Sequence, residues 1–586
     1  MMDQDEQIEN IQHRFCEFDE KKRVAWECTT EHKSRNAKAH LYPPATKVVP
    51  VIFLPGIMGS NLKHKDSGES VWRIRSNLAL KLWDALGWGL TGGKRRRELL
   101  NPNAVVTDFD QKVSNSDNES TYFANSRQKR GWGSALEFSY AEPLEQLQKE
   151  LLIWEDYYNQ AKKDGIGSAA AATEYFEGNG KGSKSIFQHI LGKKLSDDDK
   201  NPLSIKETTH YRSLLLPLHV FGYNWLQDNA QSAQELANYI DNVLMMYNTN
   251  ENGGVGHGLA FEEGHEKVIL VTHSMGGLVS RYASELLKTP YKNKILGIVH
   301  GVMPDLGSPT AYKMMKIGEH SFPMSLVLGA SATRLMSVLA QSPAPMQLLP
   351  SPKYNNGQPW LRIEKGSPGG VTDLLLPQNG DPFEEIYLKD DVWWRMYEQD
   401  ILDKEDNLIK ANFIKYKDII ELKVKPFIQD MDNKYHTNTY QFYGAYFDDD
   451  DPKDSRRSDE TVTWKLRDKT SWLWLSDDSR ATEMYGEKRE YTLLKSSDKW
   501  KSTPTMDYEG GRGDGTVPKY SINLDRKELF KEILEMNVDH QNAYQFVPLK
   551  GDAEFETYKK TKDVSPAIKF TLRSLCRILQ TDEVKP

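Results

Sequence analysis

The stretch "HEKVILVTHSMGGLVSRYASELL", residues 265–287, constrains this chain more than any other. Val268 to Val271 is a continuous apolar run of the kind that suits a buried strand. After it, Leu278, Val279, Tyr282, Leu286 and Leu287 recur at helical spacing. A strand therefore meets a helix across "THSMGG", with a serine at the junction. This is the setting of a nucleophile elbow, a sharp turn that holds a serine hydroxyl clear of the sheet. Ser274 is the candidate nucleophile. The G-x-S-x-G pattern is incomplete, because Thr272 replaces its first glycine. Gly276 keeps the second, where a missing side chain lets the helix approach the sheet. An ordinary turn fits the same letters, so companions are required.

A serine hydroxyl near neutral pH needs a histidine base, and the imidazole needs an orienting acid. In hydrolases of this layout the acid and the histidine follow the serine in that order. "GRGDGTVP" offers Asp514 between two glycines that permit a sharp turn, and "NVDHQNAY" offers His540 in a polar loop. The bland reading makes the first a surface turn and the second a surface histidine. Asp305, in "HGVMPDLGSP", is the rival acid, and Asp539 is a weaker one beside the histidine. An oxyanion needs backbone N–H donors. Met275 follows the serine and supplies one. The loop "LPGIMGS" supplies the other, from Ile57 first and Met58 second. Met58 also suits contact with a fatty acyl chain. His273 points elsewhere on a tight turn and is not the base.

The surrounding elements predict an α/β fold. Val48 to Leu54 reads as a strand, with Pro50 marking an edge or an irregular start. Leu218 to Phe221 is a second. A helix capped at Asp228 or Asn229 carries Ala233, Leu236, Ile240, Val243 and Leu244 on one face. Ile295 to Val299 and Thr439 to Tyr446 add further strands, and "ETVTWKLRD" a hairpin arm. "DRKELFKEILEM" reads as a charged amphipathic helix. Strands alternating with helices imply a mainly parallel central sheet with helices on both faces. The core is expected at 46–61, 215–304 and 439–560. A polar extension (1–45), a first insertion (62–214), a lid or cap insertion (305–438) and a C-terminal tail (561–586) complete the plan. Residues 322–350, "FPMSLVLGASATRLMSVLAQSPAPMQLLP", are apolar on more than one face. They read equally as a buried core helix and as a lid that lines an acyl site through Leu335, Met336 and Leu339.

Composition closes off several classes. The chain has 586 residues, 27% of them charged, a net charge of -8 and no concentrated basic tract, so no nucleic-acid partner is expected. Its three cysteines, Cys16, Cys28 and Cys576, form no disulfide framework. No apolar run reaches membrane-spanning length, and the acidic, polar first residues lack a secretion signal. Synthesis in the cytoplasm is expected, with any export by another route. The acidic stretch "FDDDDPKDSRRSDE" lacks the spacing and glycine of an EF-hand loop and reads as a solvated turn. No metal and no cofactor are expected.

"VIFLPGIMGSNL", "HVFGYNW", "VTHSMGGLVSRYA", "QSPAPMQLLP", "YQFYGAY" and "GDGTVP" occur in the order that resembles the lecithin:cholesterol acyltransferase-like lipases. The elbow and the early loop also resemble the inositol deacylases. These segments cover less than half of the chain, but their combination is far more specific than any one of them. The resemblance implies an α/β-hydrolase acting on lipid esters, with Ser274, Asp514 and His540 as triad and Ile57 and Met275 at the oxyanion hole. It also implies that Tyr223 and Trp225 pack beside the site, with Asn224 where the family carries Asp. The chain departs from the acyltransferase branch in lacking its lid cysteines. A large hydrolase of this kind, without a signal and with big insertions, resembles the bacterial lipase effectors injected by type VI secretion. That implies a target cell's membrane phospholipids as substrate, transient contact with the membrane surface and a cognate immunity protein as partner.

Overall fold

The apolar runs pair side by side. In a computed structural model, six strands form one sheet: β1 (Val51–Leu54), β2 (Leu218–Val220), β3 (Val268–His273), β4 (Ile295–Gly301), β5 (Thr439–Gly444) and β6 (Glu532–Met536). Their order is β2-β1-β3-β4-β5-β6, and every neighbouring pair is parallel. The structure describes residues 47–74, 93–113, 126–151, 190–208, 211, 214–248, 266–318, 332–364, 373–398, 409–445, 458–466, 504–545 and 565–580. It also describes short strands at 11–15, 17–18, 24–25, 38–42, 480–485, 490–494 and 501–502. Seven helices matter below: α1 (Gly93–Leu99), α2 (Glu137–Leu151), α3 (Asn229–Asn248), α4 (Gly276–Glu285), α5 (Pro309–Ile317), α6 (Ala332–Leu339) and α7 (Pro566–Ile578).

All six residues of β3 and all seven of β4 are buried. Such continuous runs, rather than alternating ones, are what a sheet covered on both faces requires. The parity of β4 shows the two layers. A Cβ on Gly297 would lie 2.8 Å from Ile578 of α7, and one on Gly277 of α4 would lie 3.1 Å from His300 Nδ1. Residues 297 and 300 differ in parity, so α7 and α4 cover opposite faces. The chain thus has an α/β-hydrolase fold with a mainly parallel sheet.

Three expectations change. The irregular start at Pro50 is real, since residues 47–48 and 51–54 form separate strands, but β1 lies between β2 and β3 and is no edge. "DRKELFKEILEM" is not one helix. Leu524–Leu529 makes 3-10 turns, and Glu532–Met536 is the edge strand β6. Its charges misled the pattern: Glu532 pairs with Arg573 and Arg577 of α7, and Glu535 with Lys519, which an edge strand accommodates. The expected C-terminal tail holds a core helix instead. Phe570, Leu572, Leu575 and Ile578 of α7 are fully buried. Arg573 also pairs with Asp199, which fastens α7 to the segment at 195–201.

A second, mixed sheet joins Leu361–Ile363, Leu374–Leu376, Ser458–Leu466 and Pro504–Gly511 with shorter strands. Residues 460–466 of "ETVTWKLRD" fall in it, and Arg467 and Asp468 lie outside the described residues. The sheet draws strands from both sides of residue 438, so chain order and packing do not divide there in the same way.

Candidate active site

The turn after β3 is as tight as the elbow reading requires. Ser274 has φ +51, a left-handed backbone that costs energy for any residue with a Cβ. Ser274 N–H donates to Gly301 O at 2.9 Å, and α4 begins two residues later. Gly276 is obligatory by contact, since a Cβ there would lie 2.6 Å from Pro55 O. Thr272 is tolerated in place of glycine because its side chain is buried against the next strand, with Oγ1 2.9 Å from His300 Nδ1.

The late chain folds back onto this turn. Ser274 Oγ lies 2.8 Å from His540 Nε2, and His540 Nδ1 lies 2.9 Å from Asp514 Oδ2. Asp514 Oδ1 accepts from Thr516 N at 3.0 Å and Val517 N at 2.7 Å, so neutral amides hold the carboxylate and leave one oxygen for the imidazole. Ser308 Oγ and Thr310 Oγ1 both donate to Thr516 O at 2.8 Å, tying that loop to the start of α5. The hydroxyl–imidazole–carboxylate string can deprotonate the serine as it attacks.

Asp305 is elsewhere. Its carboxylate accepts from Gln441 Nε2 at 2.7 Å and Tyr435 hydroxyl at 3.0 Å, and pairs with Arg281 at 3.4 Å. Burial raises its pKa, with Arg281 opposing. Asp539 accepts from Asn542 N at 2.8 Å and thereby closes its own turn.

The loop after β1 abuts the serine. A Cβ on Gly56 would lie 3.0 Å from Ser274 Cβ. Met58 has φ +61, Gly59 N–H donates to Gly56 O, and Trp72 Nε1–H donates to Met58 O at 3.0 Å. Ile57 and Met58 line the cavity above Ser274, while the Met275 side chain is buried beneath it.

That cavity holds about 360 Å³. Its wall is mostly apolar, from Trp72, Phe138, Trp225, Met314, Val338 and Met346 among others. Of the residues expected to touch substrate, Met58, Trp225, Leu335 and Leu339 line it. Tyr223 and Met336 do not. Tyr223 is fully buried, donating its hydroxyl to Pro55 O at 2.9 Å, and so props the loop from behind; Met336 points from α6 into the core. Residues 322–331 of the expected lid lie outside the described residues, as does the acidic stretch 448–454. Asn224 has its own explanation. Its Nδ2 donates to Pro102 O and Val105 O, contacts that a carboxylate could not make.

Sequence reasoning missed Tyr140 and Arg96. Tyr140 sits on α2, in a stretch with no catalytic motif. Its hydroxyl lies 2.7 Å from His273 Nδ1. Arg96 of α1 is 1% exposed and is the one Lys or Arg in the described cavity wall, which contains no Asp or Glu. Nothing in "GGKRRREL" distinguished it from its neighbours. Among the described residues no cluster of potential metal ligands occurs, and no helix is long and apolar enough to cross a membrane.

The model of the lecithin:cholesterol acyltransferase family matches residues 258–470, a span that includes Ser274 and ends before Asp514. No curated protein matches the sequence. Among solved structures, a chain of the crystal structure of the Tle4–Tli4 complex is similar over 91% of this chain and 99% of that one, at 26% identity and a TM-score of 0.66.

Proposed function

We propose that this lipase-type ester hydrolase of the α/β-hydrolase fold cleaves membrane phospholipids through an acyl-enzyme on Ser274. The observation that carries the reading is the unbroken string Ser274–His540–Asp514 at the floor of an apolar cavity. Ser274 Oγ attacks the ester carbonyl while His540 Nε2 takes its proton. Asp514 holds the imidazole in the required tautomer and steadies the imidazolium. The N–H groups of Ile57 and Met275 stabilise the oxyanion. His540 then returns the proton to the departing alcohol oxygen, and water attacks the acyl-enzyme by the same route reversed. Trp225, Leu335 and Leu339 hold the acyl chain.

The likeness to Tle4, solved with Tli4, supports a wider reading. The chain is a type VI secretion effector, delivered into a target cell, toxic at the membrane surface and neutralised in its producer by a cognate immunity protein. Two experiments test this. Fatty-acid release from phosphatidylglycerol–phosphatidylethanolamine vesicles should depend on Ser274. Release from diacylglycerol with none from the vesicles removes the phospholipid substrate. Periplasmic expression should kill cells through Ser274 and be harmless with the neighbouring reading frame co-expressed. Harmless expression of folded, active enzyme removes the effector reading and leaves the lipase.

A further inference from the structure

A buried string of hydrogen bonds connects the two loops that flank Ser274. Gly56 N–H donates to the Tyr140 hydroxyl oxygen at 2.9 Å. That hydroxyl lies 2.7 Å from His273 Nδ1, and His273 Nε2 lies 2.8 Å from the backbone carbonyl oxygen of His540. A carbonyl can only accept, so Nε2 carries the ring proton. Nδ1 therefore holds a lone pair, and Tyr140 donates to it. This constraint, together with a neutral ring, fixes the direction of every bond. Burial, and then the neighbouring His540, push the His273 pKa down to about 3, against the favourable bond to the His540 carbonyl. The ring is neutral, as the string requires.

We propose that Tyr140 and His273 are positioning residues that clamp the oxyanion loop and the loop bearing the base into one geometry around Ser274. The inference rests on the serine-hydrolase reading above. Gly56 N–H is committed to Tyr140, so oxyanion donation falls to the next amide, Ile57. His540 is held at both backbone ends: its carbonyl accepts from His273, and its N–H donates to Asp514 O at 2.7 Å. With the backbone fixed on both sides, the imidazole reaches Ser274 and Asp514 together. Both His273 nitrogens are engaged in the clamp, so this second histidine stands beside the base without competing for the serine proton. The aromatic packing is separable from the hydroxyl. Tyr140 meets Phe53 at 5.4 Å and His273 at 5.8 Å edge to face, contacts that a phenylalanine would keep.

The test uses the full chain and a soluble short-chain p-nitrophenyl ester, with kcat, KM and Tm measured for Tyr140→Phe, His273→Leu, His273→Gln and the Tyr140→Phe/His273→Leu pair. Loss of alignment predicts that Tyr140→Phe and His273→Leu each lower kcat by about 10- to 100-fold with KM within about twofold. His273→Gln, whose amide N–H can reach the His540 carbonyl, should recover about tenfold of the His273→Leu loss. The double variant should be no slower than His273→Leu alone, because one string is cut twice. Folded variants with wild-type kcat, additive losses, or a loss confined to KM would each overturn the clamp. Fluorophosphonate labelling of the unsubstituted chain separates the two levels. Labelling together with unaffected variants removes only the clamp, whereas absent labelling removes the hydrolase reading beneath it.

Discussion

The Asp305 and Asp514 side chains are both buried and both follow Ser274 in the chain, yet their oxygens have opposite company. Asp305 faces a guanidinium, a phenol and a side-chain amide, and Arg281 in turn stacks over Tyr435 at 3.7 Å. Asp514 faces two backbone amides on one oxygen and an imidazole on the other. A carboxylate neutralised by a cation has little left to offer a histidine. One held by neutral dipoles keeps its charge for the imidazolium that forms during attack. Position in the chain does not separate these two acids; the donors around them do.

The comparison collapses if the serine and base are not what the Asp514 carboxylate serves. Ser274→Ala and His540→Ala should each reduce ester hydrolysis by a similar factor, on the order of 10⁶, with an unchanged fold by circular dichroism. Unequal effects, or near-normal turnover in either, would break the unit. Asp514→Asn should lower kcat by about 10⁴, because the amide favours the wrong imidazole tautomer. Asp305→Asn should leave kcat within about tenfold but destabilise the fold by about 3 kcal/mol in urea unfolding, since the buried Arg281 loses its carboxylate. Reversal of that order moves the acid to Asp305. The smallest effect concerns a side-chain amide held by backbone carbonyls away from the chemistry. Asn224→Asp sets a carboxylate against two carbonyl oxygens and should cost about 1–3 kcal/mol of stability with KM unchanged. An unchanged Tm would show that the loop at 102–105 relaxes to accept it.

The residues that could be read from sequence are those with a local signature. A β-branched run, a serine and a spaced glycine mark β3 and its turn, and glycines around Asp514 mark an aimed carboxylate. Residues that act through distant partners left no such mark. Tyr140 is 133 positions from His273, and only the folded chain brings them together. The resemblance placed Tyr223 with Trp225 beside the site, but Tyr223 sits behind the loop, with its hydroxyl on Pro55 O. The edge strand β6 was hidden because its outward charges pair with α7 and Lys519, which blurs a period of two into something close to a helical one. The charges of α7 hid it likewise, since its buried Arg573 is matched by Glu532 and Asp199.

The central claim is that Ser274 is activated by His540, and the most direct measurement is covalent labelling by a fluorophosphonate, located by mass spectrometry of the intact and digested chain. The account predicts one adduct per chain, on the peptide bearing Ser274, absent in Ser274→Ala and at least about 10³-fold slower in His540→Ala. A folded, detergent-treated chain that acquires no adduct, or acquires it equally fast without His540, would contradict it.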